Sequence, residues 1–256
     1  MCLILVAWRV HADYPLVVAA NRDEFFARPT APAAFWKEAP QMLAGRDLEA
    51  GGTWMGVTRN GRFAALTNFR DPSQNRKDVP SRGGLVAGFL DGDEAPQDYL
   101  KRIAPLGRRC NGYNLLVSDG AALWWSSNMG GAARLLEPGV YGVSNHLLDT
   151  PWPKVGAGKT ALAQALELLP EDQALFDLLR DDGTHPDEQL PQTGVPLDWE
   201  RLLSSAFVKS PGYGTRSSTV LCMDRNGWGS FDEQAWLSGA QRGERLRYRF
   251  RIPASG

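Results

Sequence analysis

Cysteine and histidine are scarce in this chain, three of each, and both are widely spaced. Cys2, Cys110 and Cys222 form no Cys-x-x-Cys pair, which argues against a disulfide framework and suits a reducing compartment. His11, His146 and His185 stand too far apart to grip a metal from one helix, so no metal site is expected. Apolar runs stay short of the ~18 residues that a spanning helix needs, and no membrane span is expected. The opening "MCLILVAW" lacks the basic start and small-residue cleavage site of a signal peptide, so the expected location is cytoplasmic. A net charge of −1 gives no basic footprint, and a nucleic-acid partner is not expected.

What remains is ordinary globular composition over 256 residues, 43% hydrophobic and 22% charged, enough to bury a sizeable core. With no internal repeat and no linker-like stretch, residues 1–256 read as a single domain. Residues 2–10 and 16–21 are branched apolar runs that predict a buried hairpin. Residues 27–41, rich in proline and alanine, read as a loop. "TWMGVTRNGRFAALTNF" predicts a second hairpin about Asn60-Gly61, a pair suited to a type I′ turn, and Asp119-Gly120 and Asn226-Gly227 repeat the device.

Helical spacing appears in a block. Ser81 is the expected cap of a helix that buries Leu85, Val86, Phe89 and Leu90. A second helix buries Tyr99, Leu100 and Ile103. Residues 153–182 carry leucines at helical spacing, 183–197 read as loop, and Asp198 is the expected cap of a last helix. "RLRYRFRI" alternates apolar and arginine positions, one face core and the other wet, as on an edge strand or the outside of a sheet. Hairpins with helices in blocks predict an α+β fold with mostly antiparallel sheets.

"VGAGKTALA" resembles a phosphate-binding loop, but Pro153 occupies the place of the required first glycine and no apolar strand leads into it. It reads as a helix start. Cys2 raises a sharper question. Removal of Met1 would leave a thiol and a free α-amine on one residue, and such an amine can serve as the base of its own nucleophile. The competing reading is a small hydrophobe in a core strand, and on Cys2 alone that reading is the stronger.

Other segments weigh on the choice. "NRDEFF" places Asn21, Arg22, Asp23 and Glu24 directly after an apolar strand, beside Cys2 if the two strands form a hairpin. A neighbouring cation raises a thiol's thiolate fraction; the plainer alternative is a turn with a surface ion pair. Asn68 and Asn145 offer amide N–H groups to an oxyanion, and Arg70 and Arg216 offer planar forks for a carboxylate or phosphate. Taken singly, each is more often a turn or strand-end cap.

Together, "NRDEFFARPT", "LAGRDLEAGGTWMGVT", "RFAALTNFR", "GVSNHLLDTPWPKV" and "YGTRSSTV" resemble the NRDE family, related to transport and Golgi organisation protein 2. The resemblance runs from Met1 to about Trp236. It implies a four-layer α-β-β-α sandwich of the N-terminal-nucleophile (Ntn) hydrolase type, akin to bile-salt hydrolases, penicillin V acylase and acyl-CoA-dependent acyltransferases. Carried over, it implies Cys2 as the nucleophile, Arg22 and Asp23 as the near pair, Asn145 as oxyanion donor and Arg216 as a distant arginine, with Asn68 a further polar contact. In bile-salt hydrolases the near pair stands three positions apart, a spacing that Asn21 and Glu24 have here. The implied activity is hydrolysis or acyl transfer on a non-peptide amide or acyl thioester, with no cofactor required. The resemblance also implies an alternative, a non-catalytic carrier of haem or of an acyl-CoA-like lipid.

Overall fold

The computed structural model describes residues 2–253. The chain opens with strands β1 (Cys2–Trp8), β2 (Leu16–Phe25), β3 (Thr30–Phe35), β4 (Met42–Asp47), β5 (Met55–Thr58) and β6 (Phe63–Asn68). Helices α1 (Gly83–Asp91) and α2 (Pro96–Gly107) precede β7 (Tyr113–Ser118), β8 (Leu123–Ser127), β9 (Arg134–Leu136) and β10 (Gly139–Val143). Helices α3 (Pro153–Leu166), α4 (Gln173–Leu178) and α5 (Leu197–Leu202) lead to β11 (Tyr213–Met223), β12 (Trp228–Leu237) and β13 (Gln241–Arg251).

Two sheets result, one ordered β10-β1-β2-β11-β12-β13 and the other running from β3 to β9 in chain order. Every paired strand runs antiparallel. β1 explains why its sequence is apolar without a break. Ile4, Val6 and Trp8 face inward and meet Val57, Phe63 and Leu116 of the other sheet. Leu3, Leu5 and Ala7 face outward under Val155, Leu162 and Leu175 of α3 and α4. A strand covered on both faces has no polar position to alternate with. Leu85, Val86, Phe89, Leu100 and Ile103 of α1 and α2 cover the other sheet with Ala64, Leu66 and Leu115. The stack is helix, sheet, sheet, helix: the four-layer α-β-β-α sandwich, α+β and antiparallel.

The structure departs from the sequence reading at several turns and caps. Residues 27–41 are not simply a loop, because β3 forms within them. β3 is an edge strand, and the register shift between Ala31 and Ala34 holds Pro32, so its missing N–H costs the ladder nothing. At Asn60-Gly61 only Gly61 has positive φ, at 84°, whereas type I′ needs it at both residues. Thr58 bonds both Gly61 and Arg62, so the hairpin closes over three residues with glycine in the left-handed position. Gly120 and Gly227 likewise take positive φ alone. Ser81 stands two residues before the start of α1, with Arg82 in the cap position, and accepts the Gly83 N–H at 3.3 Å. Asp198 lies inside the first turn of α5 and pairs with Arg201 instead of capping, because Pro196 begins that helix. The 153–182 block is broken between α3 and α4, and β13 is an edge strand as its alternation implied. Among the described residues, no helix is long and apolar enough to cross a membrane.

Candidate functional site

β2 pairs with β1 so that Arg22 stands directly opposite Cys2. Paired residues share a face, and the alternation of β1 puts both on the inner face, between the sheets. Cys2 therefore begins a central strand whose other even positions are core, at the edge where that core ends. It is 9% exposed and borders a cavity of about 130 Å³. The cavity is lined by Arg22, Asp23, Glu24, Asn68, Arg82 and Trp54, with Ser81 and Gly83 at the start of α1 and Thr53, Leu66, Arg28 and Asp47 at its margins.

Electrostatics within it are set by burial. Loss of solvent raises the Cys2 thiol above its ordinary value; Asp23 adds to that shift, while Arg22 and a hydrogen bond from the Asp23 main chain oppose it. Burial also raises Asp23, whose carboxylate accepts the Thr215 hydroxyl at 2.7 Å. The Arg22 guanidinium is 5% exposed and stacks on Trp54 at 4.3 Å. It donates to Thr30 at 3.4 Å and lies 3.9 Å from each of Glu24 and Asp47, so its polar contacts are all long. Trp54 is held from behind, since a β-carbon at Gly45 would stand 2.4 Å from its ring.

The remaining sequence candidates divide. Asn68 lines the cavity. Asn145 is wholly buried beside it, with its side-chain amide donated to the Asn68 carbonyl at 2.9 Å. Its neighbour Ser144 donates to the Cys2 carbonyl at 2.9 Å, so this segment fastens the start of β1 to the end of β6. Asn21 lies on the outer face of β2. Its amide donates to the Leu179 and Ala206 carbonyls at 2.7 and 2.8 Å and its oxygen accepts the Ser218 hydroxyl at 2.6 Å, which commits it to docking the helical layer. Arg70 forms a buried ion pair with Glu200 at 2.6 Å and lies over Trp152. Arg216 donates to the Phe25 and Arg28 carbonyls at 2.9 and 3.0 Å, holding the turn after β2, and borders a second cavity and not the first. Glu24 caps the next N–H, that of Phe25, from the cavity rim.

Sequence reasoning passed over Lys154. It is 4% exposed and donates to the Leu203 and Ser205 carbonyls at 2.8 and 3.4 Å. Burial lowers it to about 8, against the pull of Asp23. A signal was present: Lys154, Gly158 and Leu162 recur every four residues and all are buried, so a lysine occupies the apolar stripe of α3. A cation in the first turn also opposes the helix dipole.

The site is thus a cysteine heading a central strand of an antiparallel α-β-β-α sandwich, beside an arginine, an aspartate and an asparagine. A family model described as Transport and Golgi organisation 2 matches residues 1–238, and the chain belongs to that family. The Bos taurus transport and Golgi organization protein 2 homolog is 38% identical over 260 residues, covering 93% of each chain. The Drosophila melanogaster transport and Golgi organization protein 2 is 29% identical over 256 residues, covering 90% of this chain and 89% of that protein. Among solved structures, a Caenorhabditis elegans N-acylethanolamine-hydrolyzing acid amidase ortholog is similar at a TM-score of 0.47 and 13% identity, over 86% of this chain and 92% of that one. The C2A mutant of a conjugated bile acid hydrolase from Clostridium perfringens is similar at 0.43 and 10% identity, over 98% of both chains.

Proposed function

We propose that this protein is an Ntn-type cysteine hydrolase or acyltransferase acting on a non-peptide amide or acyl thioester, with Cys2 as nucleophile once Met1 is removed. The observation that carries the reading is the position of Cys2, at the head of a central strand and bordering a polar cavity with Arg22, Asp23 and Asn68. Met1 itself lies outside the described residues.

Burial keeps the Cys2 sulfur protonated near neutrality, so attack needs a base. A free α-amine on Cys2, with an ordinary pKa of ~7.7–8.0, is the base nearest to hand. The thiol proton passes to that amine as sulfur bonds to the substrate carbonyl carbon. In this reading the Asn68 side-chain amide faces the developing oxyanion, while Asn145 braces the end of β6 through the Asn68 main-chain carbonyl. Collapse breaks the C–N or C–S bond, and the departing group takes the proton back from the ammonium. Water or another acceptor then cleaves the thioester on Cys2. Asp23 and Arg22 fix the charge around the new terminus.

Intact-mass measurement on protein from its native host tests the first requirement: a chain lacking one methionine is expected, and uniform retention of Met1 would end the proposal. Trapping with acyl thioesters should add one acyl group at Cys2 and none to Cys2→Ala. A second reading, a carrier for haem or an acyl-CoA-like lipid, is favoured by the raised thiol. For a carrier, Cys2→Ala keeps ligand affinity and no acyl adduct forms on the parent protein.

A further inference from the structure

A second cavity, of about 260 Å³, lies on the far side of the Arg22–Trp54 stack, and both residues line it as they line the first. Three irregularities of the sheets surround it. The β2–β11 register slips at Arg216, the β12–β13 register at Ala235, and the β3–β4 register between Ala31 and Ala34, where Pro32 sits. Arg216, Ala235 and Pro32 all line the cavity. Bulges re-aim side chains and open space that a regular ladder would close.

The two cavities share one row of residues. Cys2 pairs with Arg22, Arg22 with Ser217, and Ser217 with Ala235, so the four cross four adjacent strands on the inner face. Two strand spacings put Ser217 about 10 Å from Cys2. The second cavity is walled largely by Trp54, Pro32, Trp236, Leu237 and Leu246, yet besides Arg22 it contains two further buried polar groups. Ser217 is 6% exposed, and its hydroxyl has no hydrogen-bond partner among the described residues. Glu233 is 3% exposed; one of its oxygens accepts the Ala33 N–H at 2.8 Å. Burial raises it from its ordinary value, against the Ala33 N–H and Arg22. An apolar pocket with a few convergent polar groups fixes both the body of a ligand and its orientation.

We propose that this cavity is the distal subsite of the Cys2 site and takes an apolar group bearing a hydroxyl or amide N–H about 10 Å from the reacting carbonyl, recognised by Ser217 and Glu233. The inference rests on the hydrolase reading for the carbonyl over Cys2. The lightly tethered Arg22 guanidinium stands midway, where it can follow a ligand that straddles the stack.

Calorimetric titration of the full chain with octanoic acid and with 8-hydroxyoctanoic acid tests it. The hydroxy acid is expected to bind about tenfold tighter, the worth of one hydrogen bond to an otherwise unpaired group. Ser217→Ala should erase that preference, and Ala235→Phe should weaken both acids by filling the space. Equal affinity of the two acids for the parent protein would overturn the subsite, as would binding indifferent to Ala235→Phe in a variant with the parent melting temperature. Ser217→Ala removes one oxygen and keeps the test alive if the bulkier variant fails to fold. Alkylation of Cys2 by iodoacetamide, mapped by peptide mass, reads the nucleophile separately. A hydroxyl preference with inert Cys2 supports the subsite and removes the hydrolase; reactive Cys2 without the preference removes the subsite alone.

Discussion

Charge buried beneath Cys2 is arranged as partners, each answering another. Arg70 and Glu200 are both almost fully enclosed at 2.6 Å, and the second Glu200 oxygen accepts the Thr193 N–H and hydroxyl. Removing one member leaves a guanidinium in a low-dielectric interior, so Glu200→Ala should cost about 3–5 kcal/mol in urea denaturation. Lys154 faces Asp23 from α3 and loses its proton near 8, well below the ~10.4 of an unfolded lysine. Between those values the unfolded chain holds the extra proton, so this residue adds stability as pH rises through the window. Paired melts across about pH 8–10.4 should show the parent gaining on Lys154→Met; a constant difference would refute the buried, depressed state. Periodicity alone does not mark this lysine, because apolar neighbours at helical spacing identify the α3 stripe whether or not one of its members is charged.

At the scale of elements, α4 is fastened to the outer part of its sheet by acid–arginine contacts. Asp172 and Asp232 each lie 3.6 Å from Arg245, which itself lies over Phe176 at 4.1 Å. Burial, and then a hydrogen bond with Asp172, raises Asp232 to about 6. The folded protein holds that proton longer than the unfolded chain, whose aspartate titrates near ~3.9. The Asp172–Asp232 hydrogen bond therefore contributes most below about 4 and weakens as pH rises toward 6, and Asp232→Asn should flatten that fall in melting temperature. Element identity was legible wherever one period dominated: β13 from its two-residue alternation, α1 and α2 from their apolar faces. Turn chemistry was not. Asn-Gly suits several turns, and choosing between a two-residue and a three-residue loop depends on which strand residues pair.

For the molecule as a whole, glycine sets the spacing of layers. Gly158, in the segment that imitates a phosphate loop, lets α3 approach β1 so closely that an added β-carbon would stand 2.8 Å from a Leu5 methyl. Gly142 of β10 abuts Val155 of the same helix in the same way. Gly158→Ala should force Leu5 from its place and cost about 1–3 kcal/mol by the usual penalty of overpacking, measured by thermal or urea unfolding. A loss below a few tenths would show that the helix can lift freely.

Local composition determined a good deal by itself. Unbroken apolar runs required strands covered on both faces, helical stripes required a packed layer outside each sheet, and the quoted segments marked the family. Those features are carried by neighbours in the chain, and periodicity records them. The membership of the cavity was decided only in three dimensions. Adjacent residues of β2 point to opposite faces, so "NRDE" sends Arg22 toward Cys2 and Asn21 toward the helices. Asn68 and not Asn145 lines the cavity because β6 ends there while Asn145 is spent bracing it. Which side a polar group faces follows from strand register and bulges, and those are settled by packing between segments far apart in the chain.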